Sequence, residues 1–151
     1  MKIVIDDLRG PEIRDLLLQH LRSMTLHSPP ASIHALDLEA LRQPDITFWT
    51  ALDAADLLGC AALKALTPEH AELKSMRTAA AHLRKGVARR LLQHILDVAR
   101  QRGFVRISLE TGTAPAFAAA QALYLDSGFQ YSPPFGDYVV DPYSTFMTRE
   151  L

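Results

Sequence analysis

The stretch "AELKSMRTAAAHLRKGVARRLLQHILDVARQRGFVRISLE", residues 71–110, decides the fold. It opens with a strand-like run, "AELKSMRT" (71–78), and then turns basic around one glycine. Arg84, Lys85, Arg89 and Arg90 surround Gly86. From Gly86 onward the apolar period changes. Val87, Leu91, Leu92, Ile95, Val98 and Ala99 fall on one face of a helix over 86–102, which Gly103 stops. "VRISLE" (105–110) is a strand again. Strand, helix, strand is a βαβ unit.

Upstream, "KIVID" (2–6) reads as a short strand. "PEIRDLLLQHLRSMTLH" (11–27) reads as a helix with Pro11 in its first turn and Ile13, Leu16, Leu17, Leu21 and Met24 on one face. "SPP" (28–30) ends it, and Asp37 is placed to cap a short helix at 38–42. "ITFWTALD" (46–53) and "LLGCAALKAL" (57–66) form a hairpin around "AAD". On the first of these, Phe48 and Trp49 alternate, one facing the core and the other bordering a cleft. Downstream, "PAFAAAQALYLDS" (115–127) reads as a helix ending at Gly128, and "STFMTRE" (144–150) as a final strand. Antiparallel strands followed by a βαβ unit predict a mixed α/β fold, a sheet with helices on both faces. No linker or repeat divides the chain, so residues 1–151 are expected to form one domain.

Composition narrows the function. A net charge of −1 gives no global electrostatic case for nucleic acid. No stretch reaches the roughly 20 apolar residues that span a bilayer, and "MKIVIDDLRG" is too short a run for a signal peptide. A cytoplasmic location is the expectation. Cys60 is the single cysteine, so no intramolecular disulfide or cysteine zinc cluster is possible; set in "LLGCAAL", it reads as inert core. The six histidines form no H-x-x-x-H pair, and no metal is expected. No G-x-S-x-G elbow suggests a hydrolase.

A glycine inside a basic cluster at a helix start has a plain reading, a solvated helix terminus, and a sharper one, an anion cradle. Unpaired N–H groups and the helix dipole attract phosphate there. Neither G-x-x-x-x-G-K-[ST] nor G-x-G-x-x-G is present. The surrounding order is more specific. "ELKSMRTAAAHLRKGVARRLLQHILDVARQRGFVRISLET" followed by "ALYLDSGF" resembles the GCN5-related N-acetyltransferase (GNAT) superfamily. That family carries strand, [QR]-x-x-G-x-[GA] loop, helix and strand, then a helix with a tyrosine shortly before "GF". Gly86, Ala88 and Tyr124 match those positions. Leu83 stands in place of the [QR] residue, Arg84 where many members have glycine, and Phe117 where the family has an asparagine. "SPP…HALDLEALR…DITFW" and "PFGDY…DP…FMT" resemble a bacterial subgroup.

The resemblance implies a mostly antiparallel central sheet whose two parallel strands splay to admit acetyl-CoA. Arg84, Lys85, Gly86, Val87, Ala88 and Arg89 would meet its pyrophosphate. The backbone of Met76, Arg77 and Thr78 would pair with its pantetheine arm like an added strand. Tyr124 would donate a proton to the leaving thiolate. Glu72, at the strand position of the catalytic glutamate in some members, would act as base through a water, and the N–H of Met76 would stabilise the oxyanion. His34, Asp137 and Tyr138 lie on irregular stretches that would surround the acceptor. The expected reaction is direct acetyl transfer to a small-molecule primary amine, with a protein amine the less favoured acceptor and a homodimer a possible assembly. The competing expectation is a non-catalytic acyl-CoA-binding or sensing domain on the same fold.

Overall fold

The computed structural model describes residues 1–28 and 38–151. Seven strands form one sheet in the order β1-β2-β3-β4-β5-β7-β6. They are β1 (Lys2–Ile5), β2 (Ile46–Asp53), β3 (Asp56–Ala65), β4 (His70–Thr78), β5 (Arg106–Gly112), β6 (Gln130–Tyr131) and β7 (Ser144–Glu150). Only β4 and β5 pair in parallel; every other neighbour is antiparallel. The helices are α1 (Pro11–His27), α2 (Leu38–Leu41), α3 (Val87–Gln101) and α4 (Ala118–Asp126). Among the described residues no helix is long and apolar enough to cross a membrane.

The sheet has a core on each face. On one face Leu91, Leu92, Ile95 and Leu96 of α3 and Tyr124 of α4 pack over Trp49, Ala61, Leu63 and Leu73. On the other, Ile13 and Leu16 of α1 and Leu41 of α2 pack over Phe48, Cys60 and Ala62. The alternation of β2 and β3 sends consecutive residues to opposite cores. That corrects the expectation for Phe48 and Trp49: both are buried, one in each core, and neither borders the cleft. In α1, Ile13 and Leu16 are buried as the pattern predicts, whereas Leu21 is exposed because the inward stripe continues through His20 and Ser23 instead.

The hairpin turn is tighter than expected. Asp53 pairs with Asp56, leaving Ala54 and Ala55 as a two-residue loop with Ala54 at φ 51°. The segment before α4 is a turn of 3-10 helix at Pro115–Phe117, and two-residue β6 carries no alternation a sequence pattern could register.

Two glycine stops set the helices that flank the cleft. Gly103 (φ +87°) ends α3, and Phe104 donates its N–H to the Ala99 carbonyl. Gly128 (φ +91°) ends α4, and Phe129 donates to the Tyr124 carbonyl at 3.0 Å. This is the Schellman arrangement. It gives the spacing of "YLDSGF" a geometric cause and holds Tyr124 in the last turn, with its ring edge-on to Phe129.

Candidate active site

β4 and β5 pair only from His70–Arg106 to Leu73–Leu109. Beyond that both strands continue, β4 to Thr78 along β3 and β5 to Gly112 along β7, but no longer along each other. The seam between them opens into a cleft of about 650 Å³. Glu72, Met76 and Thr78 of β4 line it, with Leu109 and Thr111 of β5 and Leu123 and Tyr124 of α4.

A bulge in β4 shapes the wall. Ser75 has φ 55°, and the register with β3 skips between Cys60 and Ala62, so one extra β4 residue is accommodated. The Cys60 thiol donates to the Ser75 carbonyl at 3.3 Å. The bulge reverses the strand's facing. Lys74 lies opposite Ala62 and Arg77 opposite Cys60, both on the α1 face, whereas Met76 packs into the α3 core.

At one end of the cleft α3 begins. Gly86 is its N-cap at φ +80°, and Arg90 makes the first intrahelical bond, donating to the Gly86 carbonyl at 3.1 Å. No side chain caps the preceding N–H groups. A Cβ on Gly86 would meet no protein atom; the left-handed backbone is what requires glycine. Arg84 also has a left-handed φ of 61°, which accounts for glycine being common at that position in the family it resembles. On β3, a Cβ at Gly59 would come within 2.7 Å of the Arg77 carbonyl and 3.0 Å of Val87, so glycine there lets the helix start sit close to the sheet.

Of the residues predicted for the phosphate loop, Arg84, Gly86, Val87, Ala88 and Arg89 line the cleft. Lys85 does not; its ammonium lies 3.3 Å from the His82 ring. Leu83 is largely exposed. Phe117 packs over Gly112, where a Cβ would collide with its ring, and edge-on to His27. An apolar closure thus replaces the polar side chain expected at that position.

At the other end three predicted or neighbouring groups converge. Glu72 is buried, at 3% exposure. Its Oε2 accepts from the Tyr138 hydroxyl at 2.6 Å and from the Lys74 ammonium at 3.0 Å. Lys74 also donates to the Tyr138 oxygen at 3.1 Å. Burial, and then the neighbouring Glu72 carboxylate, push the Tyr138 phenol far above its usual range. Asp137 is exposed and outside the cleft, a correction to its predicted place. The turn 135–138 aims Tyr138 inward against Phe135 and Phe146, and Asp137 outward. His34 and the predicted cap Asp37 lie outside the described residues.

Tyr124 is 6% exposed, and burial pushes its hydroxyl well above the ordinary phenol range. It therefore stays protonated. Among the described residues its hydroxyl makes no hydrogen bond, so it is a donor without an acceptor on a cleft wall. Cys60 is fully buried, and burial pushes its thiol up to about 12, which disqualifies it as a nucleophile.

Sequence reasoning passed over several cleft groups, among them Lys74 of β4, His20 and Ser23 of α1 and the Arg77 side chain. His20 and Ser23 continue the helical stripe begun by Ile13 and Leu16, and polar residues on a core stripe were the available signal. Nothing in the sequence marks the bulge that turns Arg77 toward α1.

Residues 11–129 match the Acetyltransferase (GNAT) family. Over 151 residues the chain is 57% identical to the uncharacterized N-acetyltransferase YsnE of Bacillus subtilis (strain 168), covering all of both chains. It is 48% identical to the uncharacterized N-acetyltransferase YedL of Escherichia coli (strain K12), covering 99% of this chain and 94% of the relative. Among solved structures it superposes on a GNAT family acetyltransferase from Elizabethkingia anophelis with acetyl-CoA bound. There the TM-score is 0.73 and the identity 19%, over 99% of this chain and 97% of that one. The chain belongs to the GNAT family and is an acetyltransferase.

Proposed function

We propose that this acetyltransferase passes the acetyl group of acetyl-CoA directly to a primary amine on a small molecule. The observation that carries this reading is the position of Tyr124: a buried, protonated and unpartnered hydroxyl on the wall of a cleft that also contains an uncapped helix N-terminus and a buried carboxylate. The open seam fits the cofactor. The N–H groups at the start of α3 suit a pyrophosphate, and the strand edges left unpaired past Leu73 and Leu109 suit an extended arm with amide groups. Acetyl-CoA supplies the activated thioester.

The chain's own groups then divide the work. Transfer forms a C–N bond and breaks the C–S bond; the amine loses a proton and the thiolate gains one. Tyr124, whose hydroxyl is on the cleft wall, donates a hydrogen bond to the leaving sulfur and supplies the thiolate's proton as the C–S bond breaks. The Met76 N–H, placed at the bulge, stabilises negative charge developing on the carbonyl oxygen. Glu72 receives the amine's proton through a water at Oε1, because Oε2 already accepts from Tyr138 and Lys74. Tyr138 and Lys74 are positioning residues that fix the carboxylate.

Tyr124→Phe tests this. It keeps the ring that packs on Phe129 and removes the hydroxyl. Thiol release from acetyl-CoA with an accepted amine should fall about 10²–10⁴-fold in kcat, with acetyl-CoA affinity unchanged. A variant with wild-type kcat, under conditions where chemistry limits the rate, assigns Tyr124 to packing alone.

A further inference from the structure

The α1 side of the cleft holds a second set of polar groups that direct transfer does not use. After the bulge Arg77 faces α1, opposite Cys60. Arg77 and His20 of α1 line the same cleft. Among the described residues Arg77 makes no ion pair, and its Nε is buried without a hydrogen-bond partner. His20 is in the same condition: its Nδ1 is buried and unpartnered. Burial, and then Arg77, lower its pKa to about 4, so it is neutral at pH 7. Ser23, one turn further along α1, lines the same wall with no partner for its hydroxyl among the described residues.

Buried polar groups in folded proteins are almost always satisfied, and each exception asks for a missing partner. Two such atoms, Arg77 Nε and His20 Nδ1, line this one cleft. A guanidinium offers only donors, in a planar fork that matches a carboxylate. A neutral imidazole and a hydroxyl each offer one donor more. The nearby Glu72 does not answer this demand, because its Oε2 is committed to Lys74 and Tyr138.

We propose that the acceptor bears a carboxylate as well as its amine, and that Arg77 binds the carboxylate with His20 and Ser23 completing its hydrogen bonds. The acceptor is then an amino acid or an amino-acid derivative. Arg77 lies on the same face of β4 as Glu72 and Lys74, so the carboxylate is held at the guanidinium with the neighbouring amine turned toward Glu72 and the water on its Oε1. This assignment of substrate class rests on the amine-transfer reading above.

The test uses matched pairs that differ in the carboxylate alone: L-phenylalanine with phenethylamine, L-tryptophan with tryptamine, L-leucine with isopentylamine, and so on through the common amino acids. Thiol release from acetyl-CoA gives kcat/KM for each member. Acid members should be preferred. Arg77→Gln should remove about 10²–10³-fold of that preference, the range for deleting one partner of a desolvated charge pair. The loss should fall on KM for the acid, with KM for acetyl-CoA unmoved. Arg77→Lys keeps the charge without the fork and should retain part of the preference, which covers the case of an unstable glutamine variant. Calorimetry of the N-acetylated acids and N-acetylated amines on CoA-loaded wild-type protein asks the same question without turnover. Arg77-dependent binding of acids with no transfer to any amine leaves the carboxylate site standing and removes the amine-transfer reading. Equal use and equal binding of both members of every pair overturns the carboxylate site, as does an Arg77→Gln effect confined to KM for acetyl-CoA.

Discussion

Gly86 allows backbone strain and anion binding to be separated with two substitutions. Its φ of +80° lies in the left-handed region, and a Cβ there meets nothing within 4 Å. Gly86→Ala therefore carries a backbone cost alone, about 1–2 kcal/mol, which for a chain of this size lowers Tm by about 2–8 °C. Gly86→Asp should cost less, because Asp tolerates that conformation better and a carboxylate beside the α3 N-terminus regains about 0.3–1 kcal/mol from the helix dipole. The aspartate variant should thus melt no lower than the alanine variant. Acetyl-CoA binding should follow the opposite order. Each phosphate charge about 4 Å from the new carboxylate is opposed by about 1 kcal/mol at the dielectric of water, and by more where water is excluded. Two such charges cost at least about 2 kcal/mol, roughly 30-fold in Kd. Calorimetric titration with acetyl-CoA, alongside dephosphorylated pantetheine as a charge-free control, measures the difference. Aspartate and alanine variants that bind acetyl-CoA within about threefold of each other would refute the phosphate cradle.

Glu72→Gln should lower kcat/KM most at pH values where the amine is protonated and recover part of the loss as pH rises; a pH–rate profile that overlays the wild type removes Glu72 from proton transfer. His20 makes stability pH-dependent. Its folded pKa of about 4 lies below its unfolded value near 6.5, so the unfolded state takes up the proton first, and stability is lost as pH falls from about 6.5 toward 4. The loss is about 3 kcal/mol, and His20→Asn should flatten that limb of a urea-midpoint series across pH. Cys60, with its thiol raised to about 12 and no exposed surface, should resist iodoacetamide at pH 8 in the native protein and react once the chain is unfolded. Labelling at equal rates in both states contradicts its burial.

The sequence was most legible where one period runs unbroken. The stripe from Val87 to Ala99 and the strand Ser144–Glu150 have the extents their patterns imply, because each packs against a continuous apolar surface. "YLDSGF" was legible because two backbone demands, a left-handed glycine and a buried phenylalanine, fall at fixed offsets from Tyr124. Legibility failed where facing depends on a neighbour. From Glu72 and Lys74, a period of two puts Met76 on the α1 face; the bulge at Ser75 puts Arg77 there instead. No propensity marks that bulge. Tyr138 and Asp137 were indistinguishable as loop residues, and the aromatic packing of Phe135 and Phe146 chose between them.

The parting of β4 from β5 gives the protein a thermodynamic character of its own. Across most of the sheet each strand is secured by two neighbours, but at this seam four residue pairs join β1–β4 to the strands that follow. A ligand that docks along the open edges acts as the strand the chain does not encode. Its binding free energy then becomes cohesion between two halves of one sheet, and a saturating ligand should raise the melting temperature in proportion to the logarithm of its concentration. The slowing of amide exchange should be largest at residues 74–78 and 110–112, on either side of the seam, while the β2–β3 ladder slows by no more than the gain in global stability. The substrate cleft and the seam that joins the two halves of the sheet are the same place, so a bound cofactor should also set how firmly this protein holds together.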